Sequence, residues 1–173
     1  GYTTTGEVTG KTLPATGETV TITNTREVGS LKVTKILAGD TNPEDKTTDF
    51  TINIELTDPS GATLPAVNVG GKDVAGTSSK QTYEVKLKGD ESVEITGIPV
   101  GVTYKVDEKA HNGYAPRFEN CDGTIIAGTT PVEARVINTR YNGNIAVTKQ
   151  TTGNGGDTDT FFDFSITMKD ASG

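Results

Sequence analysis

The amino-acid sequence predicts an all-β protein, an antiparallel sandwich or barrel of short strands. Three observations predict it. Hydrophobic residues make up only 32% of the 173 residues, while Thr and Gly are abundant, a composition that suits pleated surfaces and turns better than helices. Apolar and polar residues alternate in short segments, which is typical of half-buried strands. No stretch shows the period of a long amphipathic helix.

Six alternating segments follow one another in the middle of the chain. In order they are residues 31–35, 50–56, 83–87, 93–95, 102–106 and 132–136. Turn-forming residues separate them at 58–61, 70–71, 88–90 and 99–101, where Gly, Pro and Asp interrupt the alternation. The long segment from Val67 to Thr82 is predicted to be an exposed excursion or extra strands.

The sequence repeats itself with an offset of 114 residues. The Asn-Thr-Arg of residues 24–26 recurs at 138–140, and the Val-Thr-Lys of residues 33–35 recurs at 147–149. We therefore predict tandem repeats in three parts: 1–28 is the C-terminal half of one repeat, 29–141 is a complete repeat, and 142–173 is the N-terminal half of the next. Half a sandwich cannot bury its apolar face alone. The halves are expected to be completed by further repeats of a longer chain or by neighbouring copies in a fibre.

Composition and charge exclude several classes of function. The net charge of −7 argues against nucleic acid or an anionic membrane as partner, because both require a basic surface. No apolar run is long enough to span a bilayer, so no membrane insertion is expected in this segment. The single cysteine, Cys121, cannot form an internal disulfide, and it is predicted to be an incidental loop thiol.

No motif for turnover catalysis or for a cofactor is visible. The sequence lacks a Ser-His-Asp set, a phosphate loop and a metal-ligand cluster, so an enzyme is not expected and no cofactor is predicted. The acidic segments 40–45 and 154–159 could hold calcium, but neither fits the spacing of a known calcium loop. Residues 13–17 spell a sortase sorting motif, Leu-Pro-Ala-Thr-Gly. A strand pattern follows it in place of an apolar anchor, so a turn is predicted there.

Three polar residues share the strand parity of the core. Successive side chains of a strand point to opposite faces, so residues of one parity lie on one face. Lys35 continues the apolar row of Leu31 and Val33. Glu108 and Asn138 continue the apolar rows that begin at Val102 and Val132, respectively. The flanking half repeats copy the pattern at Asn24 and Lys149.

A buried lysine, carboxyl and carboxamide together suggest one reaction. Burial lowers the pKa of an amine and raises that of a carboxyl, so both groups can be neutral inside a protein. A neutral amine is a nucleophile, and a carboxyl can carry protons. We therefore expect Lys35 to attack the side-chain carbonyl of Asn138 while Glu108 transfers protons and ammonia leaves, joining the first strand to the last. The alternatives are an ordinary buried ion pair, or strand ends at which these side chains reach solvent.

The motifs resemble a known family. They are Gly-Ser-Leu-Lys-Val-Thr-Lys at 29–35, Ile-Pro-Val-Gly-Val-Thr-Tyr-Lys-Val-Asp-Glu at 98–108, Asn-Gly-Tyr at 112–114 and Val-Ile-Asn-Thr at 136–139. Together they resemble the B-type (SpaA-like pilin) repeats of Gram-positive collagen adhesins and pilins. The resemblance implies a transthyretin/immunoglobulin-like β-sandwich with an autocatalytic Lys35–Asn138 isopeptide bond promoted by Glu108. The half repeats lack a promoting acid, so Asn24 and Lys149 would need partners outside this sequence.

The resemblance implies an extracellular role on a bacterial cell surface. The expected function is a structural stalk or fibre module, whose partners are neighbouring repeats of the same chain or other copies in a fibre. The alternative is an adhesin module that binds a host matrix protein or a glycan through the loops of the complete repeat. Binding that maps to Val67–Thr82 would favour this alternative.

Overall fold

The computed structural model describes residues 2–6, 19–39, 41, 43–141, 143–153 and 159–168. The chain divides into two compact units, Gly1–Tyr141 and Asn142–Gly173. The described residues of the first unit form twelve strands and one 3₁₀ turn, Pro43–Thr47. The strands are β1 Tyr2–Thr5, β2 Thr23–Arg26, β3 Val28–Ala38, β4 Phe50–Thr57, β5 Val67–Val69, β6 Lys72–Val74, β7 Lys80–Leu87, β8 Ser92–Pro99, β9 Thr103–Glu108, β10 Tyr114–Glu119, β11 Asp122–Thr124 and β12 Val132–Arg140.

The strands of the complete repeat form two facing sheets. One sheet has the order β10-β12-β3-β8-β5-β6 and the other has the order β11-β9-β4-β7. Their inner faces share one apolar core, which includes Leu31, Val33, Ile52, Ile54, Ile95, Val106 and Val136. The predicted β-sandwich is therefore confirmed.

Alternation determines which side chains enter the core. Along β4, every residue of one parity is buried and every residue of the other parity is partly exposed, as a two-residue side-chain period requires. All six predicted strands are present, as β3, β4, β7, β8, β9 and β12. Within the segment 67–82, β5 and β6 form a hairpin that extends the six-stranded sheet.

Strand β10 was not predicted, because Pro116 interrupts its pattern. Proline cannot donate a backbone hydrogen bond and is tolerated mainly in edge strands. Among the described residues, β10 is an edge strand with one sheet neighbour, β12. The position of the strand in the sheet, which no local pattern reveals, makes this proline acceptable.

The first and last long strands of the complete repeat lie side by side in parallel. Strand β12 pairs with β3 so that Val132 lies opposite Leu31 and Val136 lies opposite Lys35. This is the one parallel pair among the strand pairs of the described residues; the others are antiparallel. The chain therefore enters the repeat at one end of this pair and leaves it at the other.

The two-stranded sheet β1-β2 repeats the pairing of β10 with β12. Tyr2 lies opposite Arg26, and Tyr114 lies opposite Arg140. The sequence repeat thus produces the same local register twice. Residues 1 and 7–18, which belong to the predicted first half repeat and include the sortase-like motif, lie outside the described residues.

The described residues of the second unit form no regular strand. In this part of the repeat the offset is 112 residues, because residues 170–173 match residues 58–61 (170 − 58 = 112). Positions whose counterparts in the complete repeat are buried are exposed here: Phe164 is 63% exposed, whereas its counterpart Ile52 is fully buried. Throughout the described part of the chain, no helix is long and apolar enough to cross a membrane.

Candidate functional site

Lys35 lies in the core at the inner face of β3. Its side chain is 0% exposed, and its Nζ lies 4.5 Å from the centroid of the Phe50 ring on the facing sheet. Nζ donates a hydrogen bond of 3.4 Å to the backbone carbonyl of Val136, the residue opposite it on β12. The lysine therefore enters the apolar interior and does not extend toward solvent, as a lysine at a strand end would.

The structure brings Glu108 and Asn138 to this lysine. Glu108 ends β9 in the facing sheet, and its side chain is only 2% exposed. Its Oε2 lies 3.1 Å from Lys35 Nζ, and its Oε1 accepts a hydrogen bond of 2.7 Å from Asn138 Nδ2. Asn138, fully buried on β12, lies two residues beyond the residue opposite Lys35, on the same face. The carboxyl group thus bridges the amine and the carboxamide.

Burial controls the charge of the amine. It lowers the pKa of the Lys35 ammonium below its usual value, and the neighbouring Glu108 carboxylate opposes that change without cancelling it. At a given pH, a larger fraction of Lys35 is therefore neutral than of a lysine on a protein surface. A lower pKa is what a lysine needs in order to act as a nucleophile near neutral pH.

One oxygen atom of the buried triad of Lys35, Glu108 and Asn138 has no polar partner. Asn138 Oδ1 is buried without a partner, whereas Glu108 Oε2, although also buried, is paired with the Lys35 amine at 3.1 Å. Each buried, unsatisfied polar atom costs about 1–3 kcal/mol. An amide formed between Lys35 and Asn138 would present one N–H and one C=O to the Glu108 carboxyl, which could satisfy both in its protonated form.

Three aromatic rings pack against one another beside the site. The rings of Phe50, His111 and Tyr114 lie 5.1 to 5.3 Å apart. Behind them, the hydroxyl of Tyr114 donates to the buried Asp45 carboxylate, which also accepts bonds of 2.6 and 2.7 Å from Arg140. Of these groups, Phe50 lies directly over the Lys35 amine, and its ring excludes water there, which strengthens electrostatic interactions in the site.

The sequence analysis did not identify Phe50 or the residues packed around it. Asp45 had been grouped with the acidic segment 40–45, yet its carboxylate is occupied by Arg140 and Tyr114. The sequence does contain a signal for Phe50, because the alignment that matches residues 170–173 with residues 58–61 also matches Phe162 with Phe50. In the second unit, Lys149 Nζ lies 4.1 Å from the Phe162 ring, so the contact between lysine and ring recurs.

The flanking candidates have other contacts. Asn24, on β2, is exposed, and its Oδ1 accepts a hydrogen bond of 2.7 Å from Thr4. Lys149 donates to the carbonyl of Gln150 and to the hydroxyl of Thr151. Asn24 belongs to the first unit and Lys149 to the second. Their participation in cross-links remains a prediction.

Cys121 lies in the short loop between β10 and β11, as the sequence predicts, but its thiol does not face solvent. It is buried beside β11, with Sγ 3.3 Å from the carbonyl of Arg135, and burial raises the pKa of its thiol. Among the residues that the structure describes, no group of three or more His, Cys, Asp or Glu could hold a metal. The acidic segments 40–45 and 154–159 lie partly outside those residues, so the calcium hypothesis stays a prediction.

Comparison with known proteins supports the fold assignment. The profile of a family described as "Domain of unknown function (DUF7601)" matches residues 29–140. No curated protein matches the chain in sequence.

Several solved structures are similar in fold. They include the pilus-presented adhesin Spy0125 (Cpa) of Streptococcus pyogenes, with a TM-score of 0.51 and 23% identity over 66% of this chain. The major pilins T3.2 and T-13 of Streptococcus pyogenes both give a TM-score of 0.50, with 23% identity over 77% of this chain and 19% over 73%, respectively. The matched part covers 28% of the adhesin and 51% of each pilin. This chain therefore spans about half the length of each pilin and a smaller share of the adhesin.

Proposed function

Because the chain belongs to the DUF7601 family, whose description assigns no role, we propose a function from the geometry of its buried triad. The complete repeat is a structural module of a bacterial surface fibre or stalk, and it forms an internal isopeptide bond between Lys35 and Asn138. One observation carries this proposal: an amine, a carboxyl and a carboxamide are buried together, with Glu108 contacting both of the others.

The reaction balances without a cofactor. The neutral Lys35 amine attacks Asn138 Cγ, forming a new C–N bond, and the bond from Cγ to Nδ2 breaks. Glu108 accepts a proton from Nζ through Oε2 and returns a proton to the departing nitrogen, which leaves as ammonia. The products are a secondary amide and one ammonia molecule for each repeat. Such a reaction occurs once, so the module is not an enzyme with turnover.

The bond would change how the repeat carries force. Strands β3 and β12 are parallel neighbours, so tension between the chain entry at Val28 and the exit at Arg140 shears this pair. A bond between Lys35 and Asn138 would transfer the load directly from β3 to β12. Residues 36–137 would then carry no tension, which suits a stalk outside the cell. Fold similarity to pilins and a pilus-presented adhesin supports a location on a Gram-positive cell surface.

Intact-mass spectrometry of the purified 173-residue chain tests the cross-link. The expected mass is one ammonia below that calculated from the sequence, and Lys35→Ala or Asn138→Ala should restore the calculated mass. Glu108→Ala should leave most molecules uncross-linked. Lys149→Ala and Asn24→Ala, which change the equivalent positions of the half repeats, serve as controls and should keep the deficit.

Proteolytic mapping makes this test specific. Cyclisation of an asparagine also releases ammonia, so the expected finding is a branched peptide that joins the segments containing Lys35 and Asn138. A native chain with the full calculated mass would reject the cross-link and leave a buried ion pair. A mass deficit without the branched peptide would reject it equally.

A second function, ligand binding by an adhesin module, is favoured by one surface feature. An open groove of about 640 Å³ lies between the β5-β6 hairpin and the edge strand β7. It includes Lys72 and Lys86, and its lining overlaps the segment Val67–Thr82. Binding of the chain to a matrix protein or glycan, lost in a Lys72→Ala/Lys86→Ala variant and kept in Lys32→Ala, would support this function. Absence of binding would favour the stalk.

A further inference from the structure

The passage from one predicted repeat to the next contains almost no linker. Strand β2 ends at Arg26 and β3 begins at Val28, so only Glu27 separates them. A connection of one residue between two extended strands restricts the orientations that the joined parts can adopt. The arrangement of side chains around this connection restricts them further.

Arg26 extends from β2 onto the complete repeat. Its Nη1 donates a hydrogen bond of 2.5 Å to Asp58 Oδ2, and its Nη2 donates one of 3.0 Å to the carbonyl of Val100. A backbone hydrogen bond of 2.9 Å from the Val100 N–H to the Glu27 carbonyl lies beside them. Three hydrogen bonds therefore connect the end of β2 to two turns of the following sandwich.

Asp58 is held in position to receive this arginine. Its side chain is only 1% exposed, and its Oδ1 accepts bonds of 2.9 and 2.6 Å from the backbone N–H and the hydroxyl of Ser60. A buried carboxylate is costly unless a positive charge compensates it. Here the compensating charge comes from Arg26, which belongs to the preceding repeat in the sequence.

We propose that Asp58, Ser60 and Val100 form a docking surface for the arginine that ends the preceding repeat, and that this clasp holds successive repeats in a fixed relative orientation. The occupant of the surface is therefore the neighbouring repeat of the same chain. The clasp does not depend on the Lys35–Asn138 bond, since none of its groups belongs to that site.

The sequence repeats both partners of the clasp. Arg140 stands 114 residues after Arg26, and the Asp-x-Ser-Gly of residues 58–61 recurs at 170–173. In the structure, Arg140 donates to Asp45 of its own repeat, and residues 169–173 lie outside the described part of the chain. The clasp is therefore inferred for the junction between β2 and β3 alone.

Residual dipolar couplings of the isotope-labelled 173-residue chain test the clasp. In the native chain, one alignment tensor should fit the amides of β1 and β2 together with those of β4 and β9. In Arg26→Gln, the magnitude of the alignment tensor fitted to the amides of β1 and β2 should fall at least twofold. The couplings of β4 and β9 should stay unchanged. The Val100 amide, which bonds across the junction, should exchange its hydrogen at least tenfold faster, and the Val106 amide should not.

Matched variants test whether the loss of any exposed positive charge would have the same effect. Arg117→Gln removes an exposed guanidinium that pairs with Glu119 on β10, and it should leave all couplings on the native tensor. Asp58→Asn should reproduce Arg26→Gln, and the double variant should add nothing. If Asp58→Asn fails to fold, Arg26→Gln alone decides. Couplings of β1 and β2 that stay on the common tensor in Arg26→Gln would overturn the proposal.

Discussion

Three polar side chains in the core of the complete repeat oppose its stability as long as they remain unlinked. Lys35 and Asn138 are fully buried, and Asn138 Oδ1 has no hydrogen-bond partner. Replacing such a group by apolar residues often stabilises a protein. The core is otherwise almost entirely apolar. The proposed reaction between Lys35 and Asn138 explains the presence of these polar groups better than packing does.

The Phe50 ring gives the buried lysine a defined environment. It lies over Lys35 Nζ and meets Tyr114 edge to face, with an interplanar angle of 88°. A ring in this position excludes water from the amine and limits its rotamers. The same contact between Lys149 and Phe162 indicates that the lysine and the ring recur as a pair.

Asp58 provides a test of the junction through pH. The hydrogen bond from Arg26, followed by those from Ser60, lowers the pKa of the Asp58 carboxyl from 3.8 to about 2. The folded state therefore favours the ionised form, and the stability that this provides is complete above pH 3.8. It is lost as the pH falls from 3.8 to about 2. Because Arg26 is 25% exposed, solvent screening reduces the contribution to about 1–2 kcal/mol.

Denaturant unfolding between pH 2 and pH 6 measures this contribution. The native chain should lose more stability over that acid range than Arg26→Gln does, and the two stability curves should converge near pH 2. Arg117→Gln should follow the native curve. Parallel curves for the native chain and Arg26→Gln would show that Asp58 is not stabilised in its ionised form by Arg26.

At the scale of elements, the start of β3 depends on a close backbone approach. A Cβ added to Gly29 would lie 2.1 Å from the carbonyl oxygen of Ile126 and 2.9 Å from a methyl group of Ile125. No side chain fits without moving the 125–126 backbone, because the nearest atom is a backbone oxygen. Gly29 is thus required where β3 passes the segment that follows β11.

Gly29→Ala should destabilise the chain by about 1–3 kcal/mol, the usual cost of overpacking a core. Gly143 is the repeat equivalent of Gly29, and a Cβ there would meet nothing within 4 Å. Gly143→Ala should therefore change stability by less than about 0.5 kcal/mol. Chemical denaturation of both variants checks this, and equal effects would contradict the steric argument.

The pairing of elements explains which strands could be linked. Residues of one parity on two neighbouring parallel strands face the same side of the sheet, so Lys35 and Asn138 share the core face. Glu108 reaches them from the facing sheet at the end of β9. An antiparallel pairing of β3 with β12 would bring Lys35 close to the start of β12 and leave Asn138 at the far end of the sheet.

At the scale of the whole molecule, the proposed bond determines how the repeat responds to force. In single-molecule pulling through both termini, the cross-linked repeat should show no unfolding step for residues 36–137. In Lys35→Met, which cannot form the bond, the same repeat should extend by a step on the order of 30 nm, given about 3.3–3.6 Å per extended residue. Lys149→Met is the control and should behave like the native chain. A long step in the native chain would refute the proposed load path.

Strand parity predicted much of the site, because it is a local property. Lys35, Glu108 and Asn138 could each be assigned to an inner face from a few neighbouring residues, and the structure brings all three together. The contribution of Phe50, His111, Tyr114 and Asp45 could not be predicted, since these residues lie far apart in sequence and meet only when the sandwich closes. Cys121 lies in the loop that its polar neighbours predict, but its burial could not be predicted from them.

The all-β class, the six main strands and the repeat offset could be predicted from the sequence, because alternation, turn residues and self-similarity can be recognised without contacts between distant residues. Only the tertiary structure decided that β3 and β12 run in parallel side by side, and that Arg26 contacts Asp58 across the junction. The physical reason is that strand order and pairing depend on which apolar faces cover one another. That choice is made by the whole fold and leaves no trace in a short stretch of sequence.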